Sequence, residues 1–290
     1  MKPAPFEYED PETVEEALDL LARYGDECKV LAGGQSLVPL MNFRLARPGR
    51  LIDINRINTL AGIKSDGALL IGAMTRHVAL ERSPEAAAGW PLLTEAVAWV
   101  GHSQIRNRGT VGGSVAHADP AAELPAAFAA LDATFHIGSK RGSRTIGWDQ
   151  FFVAEFTTSL ASDELLMSIE VPKPAAGTAG AFVEFARRHG DFALGGAAVL
   201  VRLAGGRCEQ ASIALVSAGP APVRARKAEA MLAGHALDEH AIMAAASEAV
   251  KDLHPTSDIH GSSDYRVKLL RTMTERALRK ASERAAGTAE

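Results

Sequence analysis

The sequence predicts an α+β protein with a two-lobed N-terminal domain and a small C-terminal domain that has a three-stranded antiparallel sheet and helices. A chain of 290 residues with 47% hydrophobic residues can bury a sizeable core, and its length suggests two domains. Short apolar runs typical of strands alternate with helix-like stretches, and residues 172–180 are rich in proline and glycine. We expect domains at 1–175 (lobes about 1–57 and 58–175) and 176–290.

The first lobe begins with a clearly signalled helix. Thr13 as N-cap and Glu16 three residues later form a capping box, and Gly25 ends the helix. Residues 28–32 are expected to form a buried strand that leads into a glycine pair, 37–45 a helix, and 51–54 an interior strand. This pattern predicts a βαβ-like lobe.

The second lobe starts with a hairpin. Residues 61–64 and 68–72 flank a Ser65-Asp66-Gly67 turn, which suits two antiparallel strands. The remaining expectations for this lobe are helices at 76–82, 92–100 and 123–131, and strands at 133–137, 144–148 and 165–171.

The C-terminal domain is expected to contain strands followed by helices. The strands are predicted at 181–187, 197–203 and 211–217, and the helices at 225–232, 239–253 and 265–284, with a frayed tail at 287–290.

Composition excludes several classes of partner and cofactor. With 31 basic and 35 acidic residues the net charge of -4 is mild, which disfavours nucleic acid and anionic membranes. The first residues lack an apolar signal segment, and no later run approaches the roughly 20 residues needed to span a bilayer, so we expect a cytoplasmic protein. Cys28 and Cys208 are too few for a four-thiolate iron–sulfur cluster, and each sits in an apolar setting typical of an inert thiol. Any such cluster must belong to another chain.

Strong catalytic and nucleotide-binding motifs are absent from the sequence. It contains no Gly-x-Gly, Gly-Lys, His-Glu-x-x-His, Gly-x-Ser-x-Gly or Cys-x-x-Cys, and its nine histidines lack ligand spacing. We therefore expect neither a metal site nor a catalytic side chain.

Two glycine pairs are the main functional signal. Gly33-Gly34 and Gly112-Gly113 lie about 80 residues apart, and turns without a Cβ can bring backbone N–H groups close to phosphate oxygens. Added donors come from hydroxyls at Ser36, Thr110 and Ser114. The cations Lys29, Arg106 and Arg108 could balance the charge of a diphosphate or could be solvated surface residues. The pairs predict a site for a long anionic ligand, although each pair could also be only a tight turn.

Polar residues after the second pair have two interpretations. Asp119 and Glu123 could accept hydrogen bonds from ribose hydroxyls, or could stabilise the start of the helix that enters at Leu124. His117 is a contact candidate or a structural imidazole, because nothing nearby orients it as a base.

These motifs resemble those of the medium, flavoprotein subunit of molybdenum hydroxylases of the xanthine dehydrogenase family. Segments 32–37 and 110–113, the latter preceded by Gln104-Ile105-Arg106-Asn107, resemble the two FAD-binding loops of that subunit. The resemblance is strongest to carbon monoxide dehydrogenase and runs nearly end to end. It continues in segments 6–8, 71–75, 190–193 and 257–266.

The resemblance implies a two-lobed FAD-binding domain of the vanillyl-alcohol-oxidase (PCMH) type and non-covalently bound FAD. The implied diphosphate contacts are Ala32, Gly33, Gly34, Gln35 and Ser36, with Lys29, Leu31 and Leu37 beside them. Contacts that complete the cleft are Val100, Gly101, Thr110, Gly112, Gly113, Ser114, Ala116, Asp119 and Glu123, with Leu166 near the isoalloxazine and Phe192 screening one flavin face.

Three positions depart from the family pattern. Ser114 stands where many relatives have Asn, Glu123 where many have Asp, and Glu184 near where many have Lys. Each difference changes a polar contact and leaves the glycines intact, so the departures bear on flavin affinity or tuning.

The resemblance also implies partners and a route for electrons. A large molybdopterin subunit would oxidise the substrate, and a small subunit with [2Fe–2S] clusters would pass electrons to FAD and on to a quinone, NAD⁺ or oxygen. A dimer of heterotrimers is expected. Two alternatives stay open, a self-contained FAD oxidase of the same superfamily and a flavin-free scaffold, and the intact glycine loops argue against the scaffold.

Overall fold

The first lobe is a small parallel sheet with two helices. The computed structural model describes residues 2–287, and its first elements are β1 (Glu7–Glu9), α1 (Val14–Tyr24), β2 (Cys28–Leu31), α2 (Leu37–Asn42) and β3 (Arg50–Asp53). The strands pair in the order β1–β3–β2, with both pairings parallel. The predicted capping box is confirmed, since Thr13 Oγ1 accepts the Glu16 N–H at 3.2 Å and the Glu16 carboxylate accepts the Thr13 N–H at 3.3 Å.

Two details of this lobe differ from expectation. Strand β1 was not predicted, because three residues are too few to show a period. Helix α2 is shorter than the predicted 37–45, because Phe43 caps it and Arg44 takes a left-handed φ of 59°.

The second lobe is built on a five-stranded antiparallel sheet with the strand order β4–β5–β10–β6–β7. Its strands are β4 (Ile63–Asp66), β5 (Ala68–Gly72), β6 (Thr134–Ser139), β7 (Gly142–Gly147), β8 (Phe152–Ala154), β9 (Thr157–Thr158) and β10 (Leu165–Pro172). Its helices are α3 (His77–Glu81), α4 (Pro84–Gly89), α5 (Pro91–Trp99), α6 (Ser103–Arg108), α7 (Val111–His117), α8 (Glu123–Ala130) and α9 (Trp148–Phe151). The predicted hairpin is β4–β5, whereas Trp148, predicted in a strand, begins α9.

The second glycine pair is not a turn, which corrects the sequence prediction. Gly112 and Gly113 lie in the first turn of α7, and Thr110 is its N-cap, accepting the Gly113 N–H at 3.1 Å. Glycine usually opposes helix formation, but here the cap and packing decide the conformation.

The C-terminal domain packs a sheet against three helices. Its elements are β11 (Thr178–Phe185), β12 (Gly195–Ala204), β13 (Arg207–Val216), β14 (Val223–Arg224), α10 (Arg226–Leu232), α11 (Glu239–Ala249) and α12 (Ser263–Gly287). The antiparallel sheet has four strands rather than the three predicted, because β14 adds a two-residue edge. β11 begins at Thr178, so the connection between the parts is shorter than the predicted 172–180 linker. Residues 288–290 of the predicted tail lie outside the described residues.

The two faces of the C-terminal sheet have different partners. Val199 and Ile213 belong to the core formed with α10, α11 and α12. Phe182 and Ala198, on the opposite face, join the core of the second lobe that includes α5 and α8. This second contact holds the C-terminal sheet against the lobe that carries α7. Within residues 2–287, no helix combines the length and the hydropathy that a bilayer span requires.

Candidate functional site

The first glycine pair lies in a loop with free backbone donors. Within residues 2–287, the N–H groups of residues 33–36 donate to no protein acceptor. Gly34 has a φ of 73°, and Gln35 Nε2 donates to Gly33 O at 2.9 Å, which folds the loop back on itself. Successive unpaired N–H groups in such a turn form a concave binding site for anions.

A polar network that sequence reasoning missed fixes this loop. Asn55 Nδ2 donates to Ala32 O at 2.8 Å and to Asp53 Oδ1 at 2.5 Å. Arg76 donates through Nη2 to Asn55 Oδ1 at 2.7 Å and through Nη1 to the Arg108 carbonyl. The available signal was the Asp-x-Asn sequence at the end of a predicted strand. The network links the first loop to the connection between α6 and α7.

The two glycine motifs meet in the fold. A Cβ built on Gly33 would lie 2.5 Å from Arg108 O and 2.7 Å from Gly109 Cα, so the loop contacts that backbone directly. A Cβ on Gly113 would lie 3.6 Å from Ala32 Cβ. The structure therefore brings residues 32–36 and 110–113 to one place.

The second motif is a support rather than a second phosphate cradle. The N–H groups of residues 111–114 all donate within the protein, to Thr75 O at 2.9 Å, Ala73 O at 2.8 Å, Thr110 Oγ1 at 3.1 Å and Thr110 O at 3.0 Å. Gly112 allows this contact, since its Cβ would lie 2.7 Å from Ala73 O. The expectation that both glycine pairs offer free N–H groups is wrong for the second pair.

A loop of the C-terminal domain covers the end of α5. The Trp99 and His189 rings stack at 5.1 Å with a 20° interplanar angle. Gly190, with a φ of 90°, lies so close to Gly101 that a Cβ would be 2.9 Å from Gly101 O. Phe192, in the same loop, is 65% exposed. Gly101 thus lies against the loop that carries Phe192, through contacts that the sequence did not reveal.

The predicted cationic residues have different environments. Lys29 is exposed on β2 and Arg108 is exposed at the end of α6. Arg106, in contrast, binds Glu81 at 2.8 Å and donates to Val100 O at 3.2 Å. Arg106 therefore fixes the end of α5. It is not free to balance the charge of a diphosphate, in contrast to the role suggested from the sequence.

Other predicted contacts differ in burial. Ser36 caps α2 without a side-chain bond, Ser114 is half-buried on α7, and Ala116 is exposed there. Leu166 is buried in the core of the second lobe. Asp119 Oδ1 accepts the Ala121 N–H at 2.9 Å.

His117 has a structural environment. Its ring packs on Phe156 at a centroid distance of 5.1 Å, and burial lowers the pKa of its imidazole despite the Asp119 carboxylate 4.0 Å away. Among residues 2–287, no hydrogen bond orients the imidazole as a base. It is the last residue of α7.

Two buried carboxyl groups lie where the domains meet. Glu123, in the first turn of α8, and Glu184, on β11, are each 6% exposed. Burial raises the pKa of Glu123 to about 7. Burial and then the charge of Glu123 raise the pKa of Glu184 to about 9. Both Glu184 carboxyl oxygens are buried without a hydrogen-bond partner in the described chain.

The assembled site suits a dinucleotide. A loop of free N–H groups can hold phosphate oxygens, and the apolar and aromatic residues near α5 and β11 can hold a flat ring. Cys28 and Cys208 are buried with pKa values raised by burial, as expected for inert thiols. A cavity of 490 Å³ borders the network that fixes the loop, since Asn55 and Arg76 line it, and a cavity of 280 Å³ lies away from that network; none of the predicted contacts lines either cavity.

Known proteins resemble the chain over its whole length. Residues 4–174 match the family described as "FAD binding domain in molybdopterin dehydrogenase", and residues 180–281 match "CO dehydrogenase flavoprotein C-terminal domain". The chain is 49% identical to the 6-hydroxypseudooxynicotine dehydrogenase complex subunit alpha of Paenarthrobacter nicotinovorans, covering 100% of this chain and 99% of that protein. It is 40% identical to the carbon monoxide dehydrogenase medium chain of Hydrogenophaga pseudoflava, covering 99% and 100%.

Solved structures show the same architecture. Carbon monoxide dehydrogenase from Hydrogenophaga pseudoflava superposes with a TM-score of 0.96 at 42% identity, over 98% of this chain and 99% of that one. Quinoline 2-oxidoreductase from Pseudomonas putida 86 superposes with a TM-score of 0.94 at 40% identity, over 98% and 99%. The fold, the loop of free amides and both family matches agree, and the chain belongs to the FAD-binding medium-subunit family of molybdopterin dehydrogenases.

Proposed function

We propose that this chain is the electron-exit subunit of a molybdenum hydroxylase complex. Its FAD would accept electrons from [2Fe–2S] clusters of a partner subunit and pass them to a quinone, NAD⁺ or oxygen. The observation that carries this proposal is the loop of free N–H groups at residues 33–36, packed against the Arg108 backbone. Flavin supplies the exchange between one-electron and two-electron chemistry, so the residues of this chain bind, orient and tune it.

The geometry supports a set of proposed FAD contacts. Residues 33–36 hold the diphosphate through their N–H groups, and exposed Lys29 and Arg108 add positive charge. Helix α7 supports this loop through Gly113, while Gly101 and Phe192 border the ring. We propose that FAD is held without a covalent bond, because both thiols are buried.

The proposed partners carry the remaining cofactors. Relatives named a dehydrogenase complex subunit and a medium chain support assembly with other chains. Two buried cysteines leave no ligand set here for the clusters, so we assign [2Fe–2S] to a small subunit and molybdopterin to a large one. We propose a dimer of heterotrimers that works in the cytoplasm.

An exposed apolar patch beside the loop supports docking. Val38, Phe43 and Leu45, on and just after α2, are 43%, 66% and 76% exposed. Clusters of large exposed apolar side chains are typical of protein contacts. We assign this patch, which borders the diphosphate loop, to the iron–sulfur subunit.

The alternative is a self-contained FAD oxidase. It would need its own substrate pocket and an acid or base. The buried carboxyl groups of Glu123 and Glu184 are the nearest candidates for the acid or base. The two functions differ in a direct test: the chain should reduce an acceptor dye with substrate only when both partner subunits are present. Substrate-dependent dye reduction by the isolated chain would contradict our proposal.

Two measurements complete this test. Native purification followed by mass spectrometry should recover the two partner chains, and a visible spectrum should show flavin. The double substitution Phe43→Ser with Leu45→Ser should weaken assembly while leaving flavin content intact. Matched substitutions of exposed Met231 and Met243, far along the chain on α10 and α11, should leave assembly unchanged.

A further inference from the structure

A cavity of 490 Å³ lies where the first lobe meets the start of the second lobe. Its volume is in the range of small-molecule sites, roughly 300–1,000 Å³. Asn58 and Ala79 line it from different elements and are both exposed, so the cavity opens to solvent. The FAD contacts proposed above lie outside it, and it is therefore available to a second ligand.

Much of the cavity wall is apolar. Ile57 and Met74 line it and are buried, and Ile63 joins them. The hydroxyl of Thr75, which also lines the cavity, accepts the Gly62 N–H at 3.0 Å and donates to Gly62 O at 2.9 Å, so it is already satisfied. Such a wall suits the hydrocarbon part of a small ligand, because apolar surface is removed from water on both sides.

Two arginine side chains at the ends of α3 give the cavity its positive charge. Arg76 precedes this helix and Arg82 follows it, and a rise of about 1.5 Å per residue separates their Cα atoms by about 9 Å along the axis. Arg76 donates to two neutral acceptors, the Arg108 carbonyl and Asn55 Oδ1. Among the described residues neither guanidinium forms an ion pair, so both cations lack a neutralising partner.

The nearby carboxylates do not neutralise these cations. Glu85, the only carboxylate among the described residues that line the cavity, is exposed and accepts the Ser83 hydroxyl at 2.8 Å. Asp53, beyond the cavity wall, already accepts the Tyr8 hydroxyl at 2.7 Å. A planar guanidinium matches the two oxygens of a carboxylate, and the apolar wall matches a hydrocarbon body.

We propose that this cavity binds a small organic carboxylate, with Arg76 and Arg82 holding the carboxylate and the apolar wall holding the rest of the molecule. A carboxylate is a stronger acceptor than the amide and carbonyl oxygens that Arg76 contacts, so the ligand competes for the N–H groups that fix the FAD loop. The ligand therefore weakens FAD binding, and FAD weakens ligand binding by the same factor. This effect on FAD rests on the proposed FAD site.

The first test is isothermal titration calorimetry of the purified flavoprotein with benzoate as the probe. Benzamide has the same shape without the charge and should bind about tenfold more weakly, since it lacks the hydrogen bonds of a charged acceptor. Inorganic phosphate, which has no apolar part, should also bind more weakly than benzoate. Absence of benzoate binding, or equal affinity for benzamide, would overturn the proposal, and phosphate binding as tight as that of benzoate would overturn the ligand class.

Variants locate the bound probe. Arg82→Gln removes one cation without changing the network that fixes the FAD loop, and Ala79→Trp fills the cavity. Each should weaken benzoate binding by about tenfold while keeping the flavin content of wild type. The matched control is Arg226→Gln, at an exposed arginine of α10, which should bind benzoate as wild type does. Unchanged benzoate affinity in both cavity variants would contradict the site, and the wild-type comparison with benzamide is decisive even if a variant fails to fold.

The effect on FAD is measured from the fluorescence of flavin released on dilution. Saturating benzoate should raise the dissociation constant of FAD in wild type and leave it unchanged in Ala79→Trp. An unchanged constant in benzoate-bound wild type would overturn the coupling between the cavity and the loop. Wild-type protein without flavin would contradict the FAD site itself, whereas the benzoate titration would still test the cavity.

Discussion

Gly33 lies directly against the carbonyl oxygen of Arg108, with only 2.5 Å between that oxygen and the place a Cβ would occupy. The neighbour is backbone, which cannot move away as a flexible side-chain tip can. The contact therefore fixes the diphosphate loop against the α6–α7 connection, and a side chain at this position must displace one of them.

Replacing Gly33 by Val should release FAD. The added atoms should push the loop off the Arg108 backbone and destabilise the protein by about 1–3 kcal/mol, the usual effect of overpacking. The ratio of flavin to protein absorbance after gel filtration measures the loss. Gly89→Ala is the control, since a Cβ there meets nothing within 4 Å. Full flavin retention in Gly33→Val would show that the loop is only a turn.

The flavin should leave the protein on denaturation. Cys28 and Cys208 are buried thiols with raised pKa values, so neither is set up to attack a flavin carbon. Acid precipitation should give a colourless pellet and a yellow supernatant. A yellow pellet would indicate a covalent link, and peptide mapping would then locate the attachment residue.

Stability of the flavin-free protein should fall as pH rises. Glu123 and Glu184 have folded pKa values of about 7 and 9, above the roughly 4.3 expected for unfolded Glu. Between the unfolded and the folded pKa values, the folded state therefore binds more protons than the unfolded state. The contribution of these two carboxyl groups to the free energy of unfolding is full at low pH and is lost as the pH rises through this range. Each such proton contributes a slope of about 1.4 kcal/mol per pH unit.

Glu184→Gln should flatten this dependence above about pH 7, because a neutral amide does not ionise. Urea unfolding midpoints of wild type, Glu184→Gln and the exposed control Glu209→Gln, measured from about pH 6 to 9, provide the comparison. Parallel curves for wild type and Glu184→Gln would contradict the raised pKa of Glu184.

Arg224→Ala should weaken the junction between the domains. The Arg224 side chain is 5% exposed, donates to Ala129 O of α8 at 2.7 Å and pairs with Glu229 at 2.7 Å. Removing it leaves the mostly buried Glu229 carboxylate without its cation, a change that destabilises by about 3 kcal/mol in comparable sites. The control is Lys227→Ala, on α10 like Glu229, which removes only an exposed ion pair with Asp252. This substitution should change the unfolding midpoint little. Equal midpoints for the two variants would refute this role.

The sequence by itself determined the local elements and the family. The Thr13 and Glu16 cap, the hairpin around Gly67 and the first glycine loop depend on neighbouring residues, so their signals are readable in a linear chain. Short elements such as β14 were not predicted, because two residues are too few to show an alternation of apolar and polar side chains.

Only the tertiary structure decided which groups are free and which are used. Gly112 and Gly113 look like a turn in the sequence, but contact with Ala73 and the Thr110 cap place them in a helix whose first N–H groups are already bonded. Likewise, nothing local indicates that Glu123 and Glu184 share a buried site. Hydrogen-bond satisfaction and burial depend on segments distant in sequence, and packing of the C-terminal sheet against α8 is what brings these two carboxyls together.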